Sequence, residues 1–111
     1  MNPKKRVSPF SAKVYALCRR IPKGRLTTYK ELARALGKKG QVYRAVGRAL
    51  RENPFAPHVP CHRVINSSGA VGGFRGKVKG KEVQEKIKLL KKEGIIIING
   101  KVNLQKYLFR F

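Results

Sequence analysis

Apolar and polar positions alternate along most of this chain with the 3.6-residue period of amphipathic helices. Phe10, Val14, Leu17, Cys18 and Ile21 fall on one helical face. Ser8-Pro9 starts that helix: the serine can cap, and proline suits a first position whose N–H has no partner. Pro22-Lys23-Gly24 ends it. Thr28-Tyr29-Lys30-Glu31 reads as a capping box opening a second helix, with Leu32, Ala33 and Leu36 inward and Gly37 as a left-handed stop. After Lys38-Lys39-Gly40 a third helix is expected over about Gln41 to Glu52. Its apolar stripe is Val42, Ala45, Val46, Ala49 and Leu50, and its other face carries Arg44, Arg48 and Arg51. Two short helices joined by a glycine-containing turn predict a helix-turn-helix, whose arginine face either contacts nucleic acid or is simply solvated.

The pattern then breaks. Asn53 to Pro60 holds Pro54, Pro57 and Pro60, which rules out regular structure and stiffens the approach to Cys61-His62-Arg63-Val64-Ile65. A loop rich in glycine follows, from Asn66 to Gly76, where backbone can come close to a ligand. A last helix is expected from about Gly80 to Glu93, with Val83, Ile87, Leu89 and Leu90 inward and Gly94 as its cap. Ile95 to Ile98, then Asn99-Gly100, then Lys101 to Leu104 predict a β-hairpin. The expected fold is mainly α, a winged-helix-like DNA-binding domain with a helix-turn-helix and a small C-terminal β-hairpin.

Composition narrows the partners. The chain has 111 residues, read as a single domain over 1–111 with a flexible basic tail at 1–7. Its 27 Lys and Arg face 5 acids, all glutamates, for a net charge of +22. Such an excess repels itself, and a polyanion relieves it by releasing counterions; nucleic acid is the default candidate. A ribosomal or architectural protein, or a surface adapted to a salt-rich cell, would carry the same balance. No run approaches the ~20 apolar residues of a membrane span. The start, Met1 to Arg6, has no apolar core or cleavage site of a signal peptide, so a cytoplasmic protein without membrane attachment is expected, acting as a monomer.

Of the two cysteines, Cys18 lies on the core stripe of the first helix, and a disulfide to Cys61 is not expected in a reducing compartment. Cys61, followed by His62 in a stiffened segment, is a candidate nucleophile, since a thiol needs a base or a positive field to become thiolate. Zinc held by His58, Cys61, His62 and Cys18 is the rival, but the spacing fits no familiar zinc pattern, and no metal or cofactor is expected. A Cys-His hydrolase also remains open, although the charge suits a nucleic-acid substrate better than a peptide.

Pro60-Cys61-His62-Arg63-Val64 resembles the active-site motif of the O6-alkylguanine-DNA alkyltransferases. The resemblance extends through Ile21-Pro22-Lys23-Gly24, Thr28-Tyr29, Arg44-Ala45-Val46-Gly47, Asn53-Pro54, and Gly69-Ala70-Val71-Gly72-Gly73, in the family's order, over about residues 8 to 94. It implies that Cys61 accepts an alkyl group from O6-alkylguanine in double-stranded DNA after the base is flipped, and is not regenerated. It also implies that His62 acts as base through a water, oriented by Glu93. Tyr29 would help to turn out the nucleotide and donate a proton, Arg44 would fill the vacated stack, and Asn53 would support the turn leading to the active site. The second helix of the helix-turn-helix, with Arg44, Arg48 and Arg51, would bind the minor groove. Val71, Gly72, Gly73, Phe74 and Arg75 would line the substrate pocket.

There are departures. Phe74 stands where the family often has tyrosine, Arg75 where it often has a small residue, and the stretch Lys77 to Gly80 is a few residues longer. The resemblance covers only one of the two domains that many members carry. Gly100 to Tyr107 is similar to the tails of the alkyltransferase-like proteins, which bind alkylated guanine without accepting the alkyl group because tryptophan usually replaces the cysteine. A non-enzymatic lesion binder that recruits another repair pathway is therefore the alternative.

Overall fold

The computed structural model describes residues 7–37, 42–74, 77 and 79–111. It is mainly helical. The elements run α1 (Pro9–Arg19), β1 (Thr27–Thr28), α2 (Tyr29–Ala35), α3 (Val42–Arg51), a 3₁₀ turn (Cys61–Arg63), β2 (Val64–Ile65), α4 (Lys81–Lys92) and α5 (Leu104–Tyr107).

Local chemistry accounts for the helix starts. The Ser8 hydroxyl accepts from the Ser11 N–H at 3.1 Å, with Pro9 in the first turn. Thr28 accepts from the Glu31 N–H at 3.2 Å, one half of the expected capping box. The Glu31 carboxylate turns instead to Arg34 and Arg110, 3.5 Å from each. Gly80 precedes α4 at φ +92°, and Glu93 closes that helix as its C-cap.

Helices α1, α2 and α3 pack around a first core of Val14, Cys18, Ile21, Leu32, Val46, Leu50, Val59 and Val64, which also takes in Cys61 and Phe74. The expected stripes hold with two corrections. Ala45, placed inward by periodicity, is exposed, because the buried arc of α3 is narrowed to Val42, Val46, Ala49 and Leu50. Tyr15, not on the apolar stripe of α1, is buried, since its hydroxyl reaches the Ala49 carbonyl at 2.7 Å and satisfies its polar end. A second core gathers Leu26, Ile65, Val71, Leu90, Ile95, Val102 and Tyr107 beneath α4.

The sheet differs from expectation. Its strands are parallel and non-local, β1 beside β2, with Thr27 opposite Val64 and Thr28 opposite Ile65. The Asn99-Gly100 turn is present in its smallest form, one antiparallel bridge between Ile98 and Lys101. Its outgoing arm pairs with the glycine loop instead: the Val71 N–H donates to the Gly100 carbonyl and the Val102 N–H to the Gly69 carbonyl, both at 2.9 Å. Leu104 begins α5 rather than continuing a strand, because Asn103 caps it by accepting from the Gln105 N–H. The closing segment lies against β1, with the Leu26 N–H donating to the Tyr107 carbonyl and the Phe109 N–H to the Leu26 carbonyl. Among the described residues, no helix is long and apolar enough to cross a membrane.

Candidate active site

Cys61 heads the 3₁₀ turn that enters β2, and Tyr29 is the first residue of α2 directly after β1. Because the strands are parallel, Tyr29 leaves the C-terminal end of β1 while Cys61 leads into the N-terminal end of β2, with only the two-residue pair between them. They line a cavity of about 460 Å³ together with Arg44, Gly47, Arg48, Leu50, Arg51, Gly73, Phe74 and Lys77. The thiol is in its wall and is 7% exposed, so a reacting atom must enter the cavity to meet it. Arg44, Arg48 and Arg51 are exposed along its rim, and Arg48 pairs with Glu52 at 3.0 Å on the surface. A pair so exposed is weak and leaves the guanidinium available to phosphate.

Behind the thiol lies a buried polar relay. The His62 ring is 3% exposed, with Nε2 at 3.0 Å from Glu93 Oε2. Burial pushes the His62 pKa down, against the pull of Glu93. Burial by itself would raise the Glu93 carboxyl, but hydrogen bonds and charge from Arg63 and His62 outweigh it and hold that carboxyl below its ordinary value. An ionised Glu93 accepts from Nε2–H and leaves Nδ1 as the basic nitrogen of a neutral imidazole. Arg63 grips the same carboxylate through Nε at 2.9 Å and Nη2 at 2.6 Å, and donates Nη1 to the Ile21 carbonyl at 2.8 Å.

The remaining predicted residues support the cavity. Asn53 donates Nδ2 to the Val59 carbonyl and accepts from the Phe55 N–H, both at 2.9 Å, pinning residues 53–59 ahead of Cys61. Val71 is buried in the second core and Gly72 is half-buried; they hold the loop rather than line the cavity. At Gly72, φ is +76°, a left-handed conformation that favours glycine, and an added Cβ would also push on the Asn66 side chain, whose Oδ1 lies at 2.9 Å. Phe74 and Lys77 exchange backbone hydrogen bonds at 2.8 and 3.0 Å. Arg75 lies outside the described residues. Tyr29 is half-buried, and burial followed by the nearby Cys61 raises its phenol pKa.

Lys86 is the functional residue that periodicity missed. It sits on the inward face of α4, 1% exposed, and donates Nζ to the carbonyls of Val64, Val71 and Gly73 at 2.8, 2.7 and 3.0 Å. It thus ties β2, which follows the thiol, to the loop that forms the cavity wall. Burial lowers its pKa to about 8, opposed by the charge of Cys61. Its position between Val83 and Leu90 on the inward stripe was the available signal, masked by the surrounding lysines. Gly47, Leu50 and Lys77 were also not predicted for the cavity.

The alternatives separate spatially. Cys18 is fully buried in the first core, its thiol pushed up to about 12 by burial and then by Cys61. His58 is exposed, and among the described residues no three side chains of metal-binding type converge.

Residues 9–95 match the family model described as the DNA-binding domain of 6-O-methylguanine DNA methyltransferase. A methylated-DNA–protein-cysteine methyltransferase of Shigella flexneri is 41% identical over 91 residues, covering 82% of this chain and 50% of that protein. A protein of Vibrio parahaemolyticus named a DNA base-flipping protein is 36% identical, covering 88% of this chain and 93% of its own length. Among solved structures, S. pombe Atl1 in complex with damaged DNA containing O6-carboxymethylguanine superimposes with a TM-score of 0.81 at 33% identity, over 96% of this chain and all of that one. The chain spans about half the length of the curated methyltransferases it matches.

Proposed function

The chain belongs to the 6-O-methylguanine DNA methyltransferase family through that family's DNA-binding domain, and from this membership and the site's geometry we propose that Cys61 removes alkyl groups from O6 of guanine in double-stranded DNA. An alkyl group on O6 sits inside the duplex, so the nucleotide must leave the stack to reach a thiol in a cavity wall. Tyr29 assists its exit from the cavity's edge, and Arg44 enters the gap. Arg48 and Arg51 neutralise phosphates alongside, and Gly73 and Phe74 form the wall against the base.

The Cys61 proton passes through a water to His62 Nδ1, and Glu93 stabilises the imidazolium that results. The thiolate sulfur then bonds to the alkyl carbon while the carbon–O6 bond breaks. The electron pair goes to the guanine, which is neutralised by a proton from Tyr29, and the resulting phenolate recovers through solvent the proton that His62 took from Cys61. The product is a thioether at Cys61 and unmodified guanine, with both side chains returned to their starting protonation. A thioether does not reverse, so each molecule acts once.

The observation that carries this reading is that Cys61 shares one cavity with Tyr29 and the arginine face of α3, backed by the His62–Glu93 pair. The second reading, lesion recognition without transfer, is favoured by the match to nearly the full length of the Vibrio protein and of Atl1. Against it stands the retained Cys61.

The test is intact-protein mass after incubation with a duplex holding one O6-methylguanine, followed by peptide mapping. One added methylene on the Cys61 peptide, saturating at one per molecule and absent in Cys61→Ala, is the expected result. Tight lesion-specific binding with no mass change, unaltered in Cys61→Ala, overturns transfer in favour of the second reading.

A further inference from the structure

Residues 95–98 are all isoleucine, and their burial alternates. Ile95 lies in the second core and Ile97 packs against it, whereas Ile96 and Ile98 are 57% and 66% exposed. This is the alternation of an extended strand, with isoleucine on the outward face where a solvated strand carries polar side chains. Ile96 and Ile98 line a groove of about 390 Å³ together with Lys101, Lys106 and the buried Val102 and Tyr107, and none of its described lining residues is acidic. The walls are fixed by hydrogen bonds. The Ile96 N–H donates to the Tyr107 hydroxyl at 3.2 Å, and Ile98 and Lys101 exchange backbone bonds at 3.0 Å. The Lys106 ammonium stands 5.3 Å from the centre of the Tyr107 ring. The groove shares no lining residue with the thiol cavity.

We propose that this groove docks a short acidic segment of a partner protein, its apolar side chains on Ile96 and Ile98 and its carboxylates on Lys101 and Lys106. Exposed isoleucines beside cations, with no acid in the lining, match a ligand that is apolar and anionic at once. DNA supplies the charge but no apolar face, and phosphates set against two isoleucines lose water without return. A second copy of this chain supplies neither charge nor area. Each copy carries +22, and the groove's seven lining residues fall well short of the roughly 20–30 a side of a stable interface. A short segment fits that size. The proposal holds whether Cys61 transfers an alkyl group or the lesion is only bound, and the separate linings let DNA and the segment be held together.

The probe is a short fluorescein-labelled peptide of alternating leucine and glutamate, with a control in which serine replaces each leucine. Binding is read by anisotropy on protein saturated with an unmodified duplex, so that DNA already covers the surface it prefers. The leucine peptide should bind, and the serine peptide at least about tenfold more weakly. Ile96→Ser with Ile98→Ser should cost the leucine peptide about tenfold and leave the serine peptide unchanged. Lys101→Ala with Lys106→Ala should weaken it by a similar factor and flatten its dependence on salt. Lys88→Ala with Lys91→Ala, which removes the same charge from the exposed face of α4, should leave it within about twofold. Equal binding of the two peptides, or equal losses for the two lysine pairs, means adsorption to a basic surface and overturns the proposal. Failure of the leucine peptide to bind, or its displacement by the duplex, does the same. So does a dimer of the wild type that Ile96→Ser dissociates, or binding to phosphatidylserine vesicles that depends on Ile96 while the peptide is ignored. Thermal unfolding checks each variant, and Ile98→Ser alone, at the more exposed position, serves if the double variant unfolds early.

Discussion

Replacing Lys86 with methionine keeps the length and apolar stem of the side chain and removes its titrating end. The folded protein holds that ammonium at 1% exposure against three carbonyls, and its pKa falls from 10.5 to about 8. Burial therefore costs the charged form more than the three acceptors return. The sign follows from proton counting. Between pH 8 and 10.5 the unfolded chain binds a proton at this site that the folded chain has released, so stability rises with pH across that window. The displacement of the pKa corresponds to about 3 kcal/mol over the full window. Other lysines and tyrosines titrate there too, but they are common to both proteins and cancel in the difference. The assay is urea unfolding of wild type and Lys86→Met at pH 7, 8, 9 and 10 under reducing conditions. The penalty of the substitution should grow steadily above pH 8, by about 1.4 kcal/mol per pH unit at its steepest. A penalty constant from pH 7 to 10 would refute the reasoning, because it would mean that folding leaves this proton undisturbed.

Glu93→Gln leaves the Arg63 guanidinium and the His62 ring without their carboxylate; single-turnover transfer should slow about a hundredfold or more, read by quenched-flow mass analysis. The same variant should lose less stability on acidification than wild type, since a carboxyl held below its ordinary pKa stabilises the fold above that value and stops doing so as pH falls through the folded one. Asn53→Ala removes two hydrogen bonds that brace the approach to Cys61 and should cost about 1–3 kcal/mol in urea unfolding. Cys18, fully buried with its thiol near 12, should resist iodoacetamide at pH 8 in the native protein and react once urea unfolds it.

Much of the fold was legible because its helices carry their own signals. Ser8-Pro9, Thr28, the periodic apolar stripes and Gly94 act locally, and they fixed α1, α2, α3 and α4 to within a residue or two. The sheet was not legible, because Thr27 and Val64 are remote in sequence and each strand is only two residues long, too short for any alternation to show. The Asn99-Gly100 turn was readable, but its partner strand was not: residues 69–71 compete for the same backbone and take most of it. In the site, Cys61 and His62 were candidates on their own chemistry and Tyr29 and Glu93 came from the family resemblance; geometry brings Cys61 and Tyr29 to one cavity and His62 and Glu93 into contact. Arg63 and Lys86 escaped because a basic side chain in a chain of net charge +22 reads as surface until its carbonyl and carboxylate partners are seen.

The parallel pair β1–β2 is small, yet it stands between two residues of the cavity. Tyr29 follows Thr28 with no intervening residue, and Cys61 precedes Val64 by a single tight turn, so the two leave the pair at opposite ends. Both then pack into the first helical core. Their separation is thereby set jointly by main-chain register and by how that core is filled. Substitutions in the helical core should lower the folded fraction and also detune the molecules that remain folded. On the proposed single-use chemistry, capacity would decline with abundance and with speed per copy together.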